Sequence, residues 1–297
     1  MSLTNEQTQW FATTFGQVVS HVEQALVGKT TQVQLAMTCL LAEGHLLLED
    51  FPGTGKTSLA RAIAQTLQGK HNRIQFTPDL LPSDVTGVTV YDQKNQRFEF
   101  HPGPIFANIV LADEINRASP KTQSALLEVM EEGQVTVDGT THAAGHPFMV
   151  IATMNPIEQA GTYRLPEAQL DRFLMKTSLG YPDHQSTMSI LKSSGTKSGT
   201  KGLTALITTD AVVSMIDLAA LVHVEDTVVD YISRLVAATR EAPEVQLGCS
   251  VRAGLGLMRA SKVWAAASGR NYVTPDDIKS LAAPVLAHRM VLDPEEE

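Results

Sequence analysis

The sequence contains little cysteine, few aromatic residues and less positive than negative charge. Its two cysteines, Cys39 and Cys249, lie far apart without partners at metal-ligand spacing, which argues against a disulfide framework. Lysine and arginine number 23 against 32 aspartate and glutamate, giving a net charge of -9, and they form no long cluster. This balance argues against a protein whose main task is binding a nucleic-acid backbone, so we expect no nucleic-acid partner.

Long apolar segments are also missing. No stretch approaches the roughly 18 consecutive apolar residues of a membrane span, and the polar segment 4–9 shows no apolar signal region. We therefore expect a cytoplasmic protein without membrane insertion. What is present is an ordinary globular composition, 43% hydrophobic and 19% charged over 297 residues, which allows one large domain or two ordinary ones.

Two styles of sequence follow one another along the chain. Up to residue 182, short β-type runs alternate with helical patterns, which predicts an α/β domain (1–182) with a parallel sheet. Three predicted strands are almost wholly apolar, as expected for strands covered by helices on both faces. The five predicted strands are 45–48, 73–76, 109–112, 148–152 and 176–179.

From 183 to 297 the pattern predicts a small all-helical domain. A segment rich in Gly, Ser, Lys and Thr at 193–202 is predicted to be a flexible loop. One helix is expected to carry Val251, Leu255 and Met258 on one face. The predicted helices lie at 210–221, at 227–240, after the cap Ser250 and after the cap Thr274.

A glycine-rich segment between a predicted strand and a predicted helix is the strongest local motif. Its glycines would let backbone N–H groups turn towards phosphate oxygens at a helix N-terminus. Lys56 would reach the β- and γ-phosphates of ATP, and the Thr57 hydroxyl would bind Mg²⁺. The strict P-loop pattern has glycine where this chain has Asp50, so a glycine-rich surface loop is the alternative. The motif comprises Pro52, Gly53, Thr54, Gly55, Lys56, Thr57 and Ser58.

Polar residues also end two other predicted strands. The strand 109–112 runs into Asp113, predicted to hold Mg²⁺, and Glu114, predicted to polarise the water that attacks the γ-phosphate. Asn155 follows the strand 148–152 and would lie level with these acids in a neighbouring strand. The alternatives are an acidic turn for the first pair and an Asn-Pro turn for Asn155.

Together these motifs resemble the MoxR family of AAA+ ATPases, in the clade with an insertion in helix 2. The resemblance is dense over about half the chain and looser in the helical part. It implies a P-loop AAA+ core, a parallel five-stranded sheet with helices on both faces, and a small all-helical lid. The matching stretches are GHLLLE (44–49), RIQFTPDLLPSD (73–84), GPIFAN (103–108), LADEINRA (111–118), QSALLE (123–128), ATMNP (152–156) and LPEAQLDRF (165–173).

The resemblance implies further roles that spacing alone does not provide. Asn155 takes the sensor 1 position, and Arg172 the position of an arginine finger that acts on the neighbouring subunit's nucleotide. Arg252 takes the sensor 2 position, closing the lid over the γ-phosphate. Val27 and Gly28 resemble the segment that contacts the adenine ring. Asp50 also fits this family, in which the first P-loop glycine varies. Arg164 and Arg117 remain alternative fingers.

Two segments are not needed for hydrolysis. Residues 85–101 match the helix-2 insert, read as a hairpin over 88–101, and residues 132–147 match the hairpin before sensor 1. The dipeptide Asp138-Gly139 in the second segment is a strong hairpin turn signal. In this clade such loops face the pore of the ring or a partner, whereas the alternative is two decorative surface hairpins.

The sequence supports several functions. The leading hypothesis is Mg²⁺-dependent ATP hydrolysis in a homo-oligomeric ring, a hexamer by resemblance, coupled to remodelling, activation or assembly of a protein client, with metal insertion as one form. The resemblance also implies a partner that carries a von Willebrand factor A domain. Alternatives are a nucleotide-switched binding scaffold with incidental turnover, a metal-chelatase-type motor subunit and a nucleic-acid motor, which the acidic charge disfavours.

Overall fold

A five-stranded parallel sheet forms the centre of the structure, a computed structural model that describes residues 3–155, 162–193 and 203–293. Pro156 of the ATMNP motif and, apart from Ser193, the loop predicted at 193–202 lie outside these residues. The described strands are β1 (Leu46–Glu49), β2 (His71–Gln75), β3 (Gly87–Asp92), β4 (Arg97–Pro102), β5 (Ile109–Asp113), β6 (Gln134–Val137), β7 (Thr140–Ala143), β8 (Met149–Met154), β9 (Met175–Thr177), β10 (Val245–Leu247) and β11 (Val291–Leu292).

Helices cover the sheet. They are α1 (Asn5–Glu23), α2 (Thr30–Leu41), α3 (Lys56–Thr66), α4 (Pro82–Thr86), α5 (Pro120–Glu132), α6 (Glu167–Leu170), α7 (His184–Ser193), α8 (Thr209–Ala220), α9 (Asp226–Glu241), α10 (Val251–Ala267) and α11 (Pro275–Leu286). None of the described helices is both long and apolar enough to cross a bilayer.

The central sheet has the strand order β2-β5-β8-β1-β9, and the five strands predicted from the sequence are the ones that form it. Strand β5 is buried along its whole length, and β8 except at its last residue. Alternate residues of β5 enter two separate apolar clusters, Ile109 and Leu111 on one face, Val110 and Ala112 on the other. This alternation follows from the period of two in a strand and explains why the central strands are apolar throughout.

One apolar cluster joins α1, α2 and α3 to α8, α9, α10 and α11, while the other lies between the opposite face of the sheet and α5. Leu257 of α10 and Leu281 of α11 are both fully buried in the first cluster. The helices after residue 203 therefore pack directly against the helices that cover the sheet. The division into domains 1–182 and 183–297 stays a prediction.

The buried face of α10 differs from the face picked out in the sequence. Ser250 caps the helix as predicted, accepting a hydrogen bond from the Ala253 amide. Val251 and Leu255 are exposed, however, whereas the fully buried residues include Leu257 and the small Ala253 and Ala260. Small residues let the helix approach its neighbours closely, so the apolar periodicity alone did not identify its buried face.

Two antiparallel hairpins project from the core, β3–β4 and β6–β7. The turn signal Asp138-Gly139 is confirmed, since both residues adopt positive φ values of 49° and 78°, as a type I′ turn requires. The ring of Phe100 in β4 stacks on His142 in β7, with centroids 4.1 Å apart. This contact joins the two hairpins.

Candidate functional site

The ends of three strands bring the predicted site residues to one edge of the sheet. Strands β1, β8 and β5 are neighbours and run parallel, so their carboxyl ends meet at the same edge. The P-loop follows β1, Asn155 follows β8, and Asp113 ends β5. Asp50, the first residue after β1, donates its amide to the Met154 carbonyl at 3.0 Å, which fixes the base of the loop to β8.

The P-loop has the backbone expected of a phosphate cradle. Gly53 and Gly55 adopt positive φ values of 83° and 101°, and Gly55 is the N-cap of α3. A Cβ on Gly53 would meet no atom within 4 Å, so open space lies beside the loop. Lys56 begins α3 and donates from Nζ to the Asp50 carbonyl at 3.2 Å, while Thr57 is exposed. Backbone amides, a lysine and a helix N-terminus here suit a phosphate chain.

The remaining residues of the motif frame this cradle. Pro52 is exposed, Ser58 is half-buried in the first turn of α3, and the buried Thr54 hydroxyl donates to the Phe51 carbonyl at 3.3 Å. Helix α3 packs against β5, the strand that carries Asp113. The P-loop helix and the acidic strand are thus in direct contact.

A buried threonine positions both acids. The Thr153 hydroxyl in β8 donates to Asp113 Oδ1 at 2.7 Å and accepts the Glu114 amide at 2.9 Å. Asp113 is only 8% exposed, and Glu114 adopts a left-handed φ of 58°. Sequence reasoning missed Thr153, although it stands in the quoted ATMNP motif two residues before Asn155. Its signal was a polar residue in an otherwise apolar strand.

Two residues of β2 and one after β5 complete the surroundings of the acids. Arg73 Nη2 lies 2.6 Å from Asp113 Oδ2, and Gln75 Nε2 donates to Glu114 Oε2 at 2.8 Å. Arg117 Nη1 lies 3.0 Å from the same oxygen of Glu114. Arg73 and Gln75 were also missed as functional residues. They alternate along a strand next to β5, which was the available signal.

The residues fit a magnesium nucleotide. Carboxylate and hydroxyl oxygens are the donors that Mg²⁺ prefers, and Asp113, Glu114 and Thr57 offer them at or beside the carboxyl edge of the sheet. The cradle of Gly53, Gly55 and Lys56 offers backbone amides and one cation for the phosphates. The chemistry of this donor set therefore agrees with the sequence-based expectation of ATP and Mg²⁺.

Asp50, which stands at the position of the first glycine of the strict P-loop pattern, has a structural role of its own. The residue is 2% exposed, and its carboxylate accepts the amides of Leu179 at 2.5 Å and Gly180 at 3.2 Å. These two residues follow β9, where the chain leaves the sheet. The aspartate therefore ties the P-loop to the segment that leads into the helical part.

The predicted adenine segment lies against the same exit. Gly28 has a φ of 77°, and a Cβ there would collide with Ser186 in α7. Val27 is 40% exposed. Lys29 donates from Nζ to the Tyr181 carbonyl at 2.9 Å, and the rings of Phe51 and Tyr181 stack with centroids 6.0 Å apart. The segment at 27–29 thus lies beside the residues that follow β9. Asp50 and Phe51, at the start of the P-loop, contact the same residues.

Arg172 and Arg252 lie at the opposite edge of the sheet. Both bind the same carboxylate of Glu131, Arg172 at 3.2 Å and Arg252 at 2.6 Å. They line one cleft together with Gly44 and His45, which precede β1. Strand β1 pairs with β9 in parallel, and its four residues separate this edge from the P-loop by roughly 13 Å. The sequence predicts that Arg252 closes over the γ-phosphate of its own subunit. That role would require Arg252 to lie at the carboxyl edge of the sheet, beside the P-loop.

The alternative arginines occupy different places. Arg117 binds Glu114 of its own chain and therefore belongs to the surroundings of its own acids. Arg164 is exposed and follows Tyr163, whose amide donates to the Asn116 carbonyl at 2.7 Å. Of the three candidate fingers, Arg172 is the one that shares a carboxylate with Arg252.

Comparison with known proteins agrees with this geometry. The family model "ATPase family associated with various cellular activities" matches residues 45–175, and the AAA lid domain model matches 237–297. The Bacillus subtilis protein YeaC is 50% identical over 94% of this chain and 88% of its own length. Chaperone MoxR1 of Mycobacterium tuberculosis is 41% identical over 94% of this chain and 76% of its own length.

A solved structure extends the comparison to three dimensions. The crystal structure of a candidate ATPase from Cytophaga hutchinsonii superposes with a TM-score of 0.90 at 38% identity, covering 98% of this chain and 91% of that one. The fold is therefore that of a P-loop AAA+ protein, with a parallel five-stranded sheet and a helical lid. The chain belongs to the MoxR family of AAA+ ATPases.

Proposed function

We propose that this protein hydrolyses ATP with Mg²⁺ in a ring of identical subunits and uses the energy to remodel, activate or assemble a protein client. The observation that carries the proposal is the hydroxyl of Thr153, which binds both Asp113 and Glu114. Thr153 lies on β8, the strand next to β1, and β1 leads into the P-loop. An acidic turn without function needs no such buried connection.

Each site residue has a distinct role in this proposal. The P-loop amides and Lys56 hold the phosphates, and Thr57 and Asp113 hold Mg²⁺, which when bound neutralises charge on the β- and γ-phosphates. Glu114 polarises the attacking water, and Asn155 orients it. Val27 and Gly28 line the adenine site.

The arginine pair supports action across a subunit boundary. Arg172 and Arg252 share Glu131 at the edge of the sheet opposite the P-loop, and both side chains are partly exposed. From that edge the pair is separated from its own P-loop by the length of β1, roughly 13 Å. We therefore assign both arginines to the neighbouring subunit's γ-phosphate, where an added guanidinium accelerates phosphoryl transfer by on the order of 10³-fold or more. A hexameric ring provides such a neighbour for every subunit.

The client is proposed from similarity and from exposed surface. Likeness to Chaperone MoxR1 supports a protein client, and family resemblance supports a partner with a von Willebrand factor A domain. The hairpin β3–β4 presents exposed apolar side chains, with Phe98 74% exposed and Tyr91 49% exposed. Such side chains suit contact with a polypeptide. We place this activity in the cytoplasm.

Steady-state hydrolysis tests the proposal. Wild-type protein should release phosphate from ATP only with Mg²⁺, and Glu114→Gln should abolish turnover while still binding ATP. Glu241→Gln, an exposed acid at the end of α9, is the control and should hydrolyse ATP at the wild-type rate. Sedimentation with ATP should show a ring for wild type and for Glu114→Gln. Wild-type turnover in Glu114→Gln would contradict the role given to Glu114, whereas client activity retained without turnover would support the nucleotide-switched scaffold instead.

A further inference from the structure

In this structure each acid of the site is paired with an arginine of its own chain. Arg73 Nη2 lies 2.6 Å from Asp113 Oδ2, and Arg117 Nη1 lies 3.0 Å from Glu114 Oε2. The two guanidinium groups thus balance the two adjacent carboxylates. The Arg117 contact is a local one between residues three apart, whereas the Arg73 contact crosses from β2 to β5.

The position of Arg73 is fixed by a second hydrogen bond. The same nitrogen, Nη2, donates to Gln75 Oε1 at 2.8 Å. Arg73 and Gln75 are two residues apart on β2 and therefore project on the same side of the sheet. Gln75 thus orients Arg73 towards Asp113 and is itself held by Glu114 through Nε2.

Burial differs sharply across the ion pair. The Asp113 side chain is 12% exposed, whereas that of Arg73 is 49% exposed. The carboxylate is therefore fixed, with Thr153 on its other oxygen, while the arginine reaches it from solvent at the outermost strand of the sheet. Because about half of its side chain already faces water, Arg73 has room to rotate away from Asp113.

We propose that Arg73 is a displaceable counter-cation that competes with Mg²⁺ for Asp113 and so sets the magnesium concentration at which nucleotide binds. The inference rests on the proposed function, which assigns Asp113 to the metal. A guanidinium and a divalent ion beside one carboxylate repel each other, so binding of the metal drives Arg73 away from Oδ2. Arg73 acts through Asp113 and contacts neither the metal nor the nucleotide.

The experiment is a magnesium titration of nucleotide binding, without turnover as a readout. A fluorescent ATP analogue is held at fixed concentration with each variant, and anisotropy is followed from EDTA to excess Mg²⁺. Arg73→Gln should lower the half-maximal Mg²⁺ concentration by about fivefold, the effect of a half-exposed ion pair. Arg73→Lys, which keeps the charge, should stay within about twofold of wild type on the same scale.

Controls separate this competition from general charge effects. Arg97→Gln removes an exposed cation from the hairpin β3–β4 and should leave the midpoint unchanged. Thermal melting of Arg73→Gln should match wild type and show that it folds. A half-maximal Mg²⁺ concentration that is unchanged or higher in Arg73→Gln overturns the inference. Nucleotide binding that is weakened equally in EDTA and in Mg²⁺ also overturns it, because that result would mean that Arg73 contacts the phosphates. If wild-type protein binds no nucleotide at any Mg²⁺ concentration, the proposed function fails as well.

Discussion

Thr153 and Asp113 are joined by a hydrogen bond of 2.7 Å between two neighbouring strands of the central sheet. The hydroxyl is fully buried and also accepts the amide of Glu114, so one oxygen fixes the side chain of the first acid and the backbone of the second. The geometry of the acidic pair thus depends on β8 as much as on β5, the strand that carries Asp113.

Thr153→Val removes this hydroxyl at nearly constant volume. We expect ATP turnover to fall roughly 10- to 100-fold, as for other residues that orient metal ligands, while the affinity for nucleotide without Mg²⁺ stays near wild type. Steady-state phosphate release and nucleotide titration in EDTA are the measurements. Thr66→Val is the matched control, since its buried hydroxyl donates to the Ala62 carbonyl within α3 at 2.7 Å. A similar loss of turnover in both variants would attribute the effect to stability alone.

Asp50→Ala should loosen the P-loop from the exit of β9. The buried carboxylate accepts two backbone amides, so its removal should cost about 2 kcal/mol of unfolding free energy and weaken nucleotide binding. Asp50→Asn keeps an acceptor oxygen and should fall between Ala and wild type. Urea unfolding and nucleotide titration measure both effects. Equal stability of all three proteins would contradict the role given to this carboxylate.

The sequence identified the parts of the site that depend on local order along the chain. The P-loop is contiguous, and Asp113 and Glu114 directly follow an apolar run, so spacing and residue type were enough to single them out. The five strands of the sheet were found for the same reason, because each is a short β-type run of its own. Their order β2-β5-β8-β1-β9 is now observed.

The sequence alone did not identify the residues that contact the acids from neighbouring strands. Arg73 and Thr153 lie 40 residues from Asp113 along the chain, in opposite directions, and become its partners only through the order of strands in the sheet. The edge to which Arg252 belongs depends likewise on how α10 packs against the sheet. A family resemblance indicates which residues have such roles, but it does not determine at which edge of the sheet each residue lies.

Mixing of inactive variants should reveal which subunit the arginines serve. Lys56→Ala lacks a working P-loop but keeps Arg172 and Arg252, whereas Arg172→Ala and Arg252→Ala keep the P-loop. If each arginine acts on the neighbour, a one-to-one mixture with Lys56→Ala rebuilds about a quarter of the interfaces of a head-to-tail ring, and turnover should recover accordingly. Recovery with Arg172→Ala but none with Arg252→Ala would show that Arg252 serves its own nucleotide. A mixture of wild type with Glu241→Gln should keep wild-type turnover and controls for effects of mixing alone.

The stability of the protein should fall as pH drops below the ordinary pKa of histidine, because two buried histidines are held neutral. Burial lowers the pKa of His45 to about 4, and burial together with the nearby Arg289 lowers that of His288 to about 4. His45 donates from Nε2 to the Met130 carbonyl at 2.8 Å and accepts the Val150 amide at Nδ1, a pattern that only the neutral ring can make. His288 lies 2.9 Å from the Phe173 carbonyl.

The sign of the effect follows from proton binding. Between the unfolded pKa of 6.5 and the folded pKa near 4, the unfolded chain binds a proton at each site and the folded chain does not, so the free energy of unfolding decreases as pH falls through this window. At pH 5 the loss should be on the order of 1–2 kcal/mol for each histidine. Urea unfolding at pH 7 and pH 5 measures it. His45→Gln should reduce the difference in unfolding free energy between pH 7 and pH 5, whereas His101→Gln, on an exposed hairpin, should not. An equal difference in His45→Gln and wild type would show that His45 is not the group responsible.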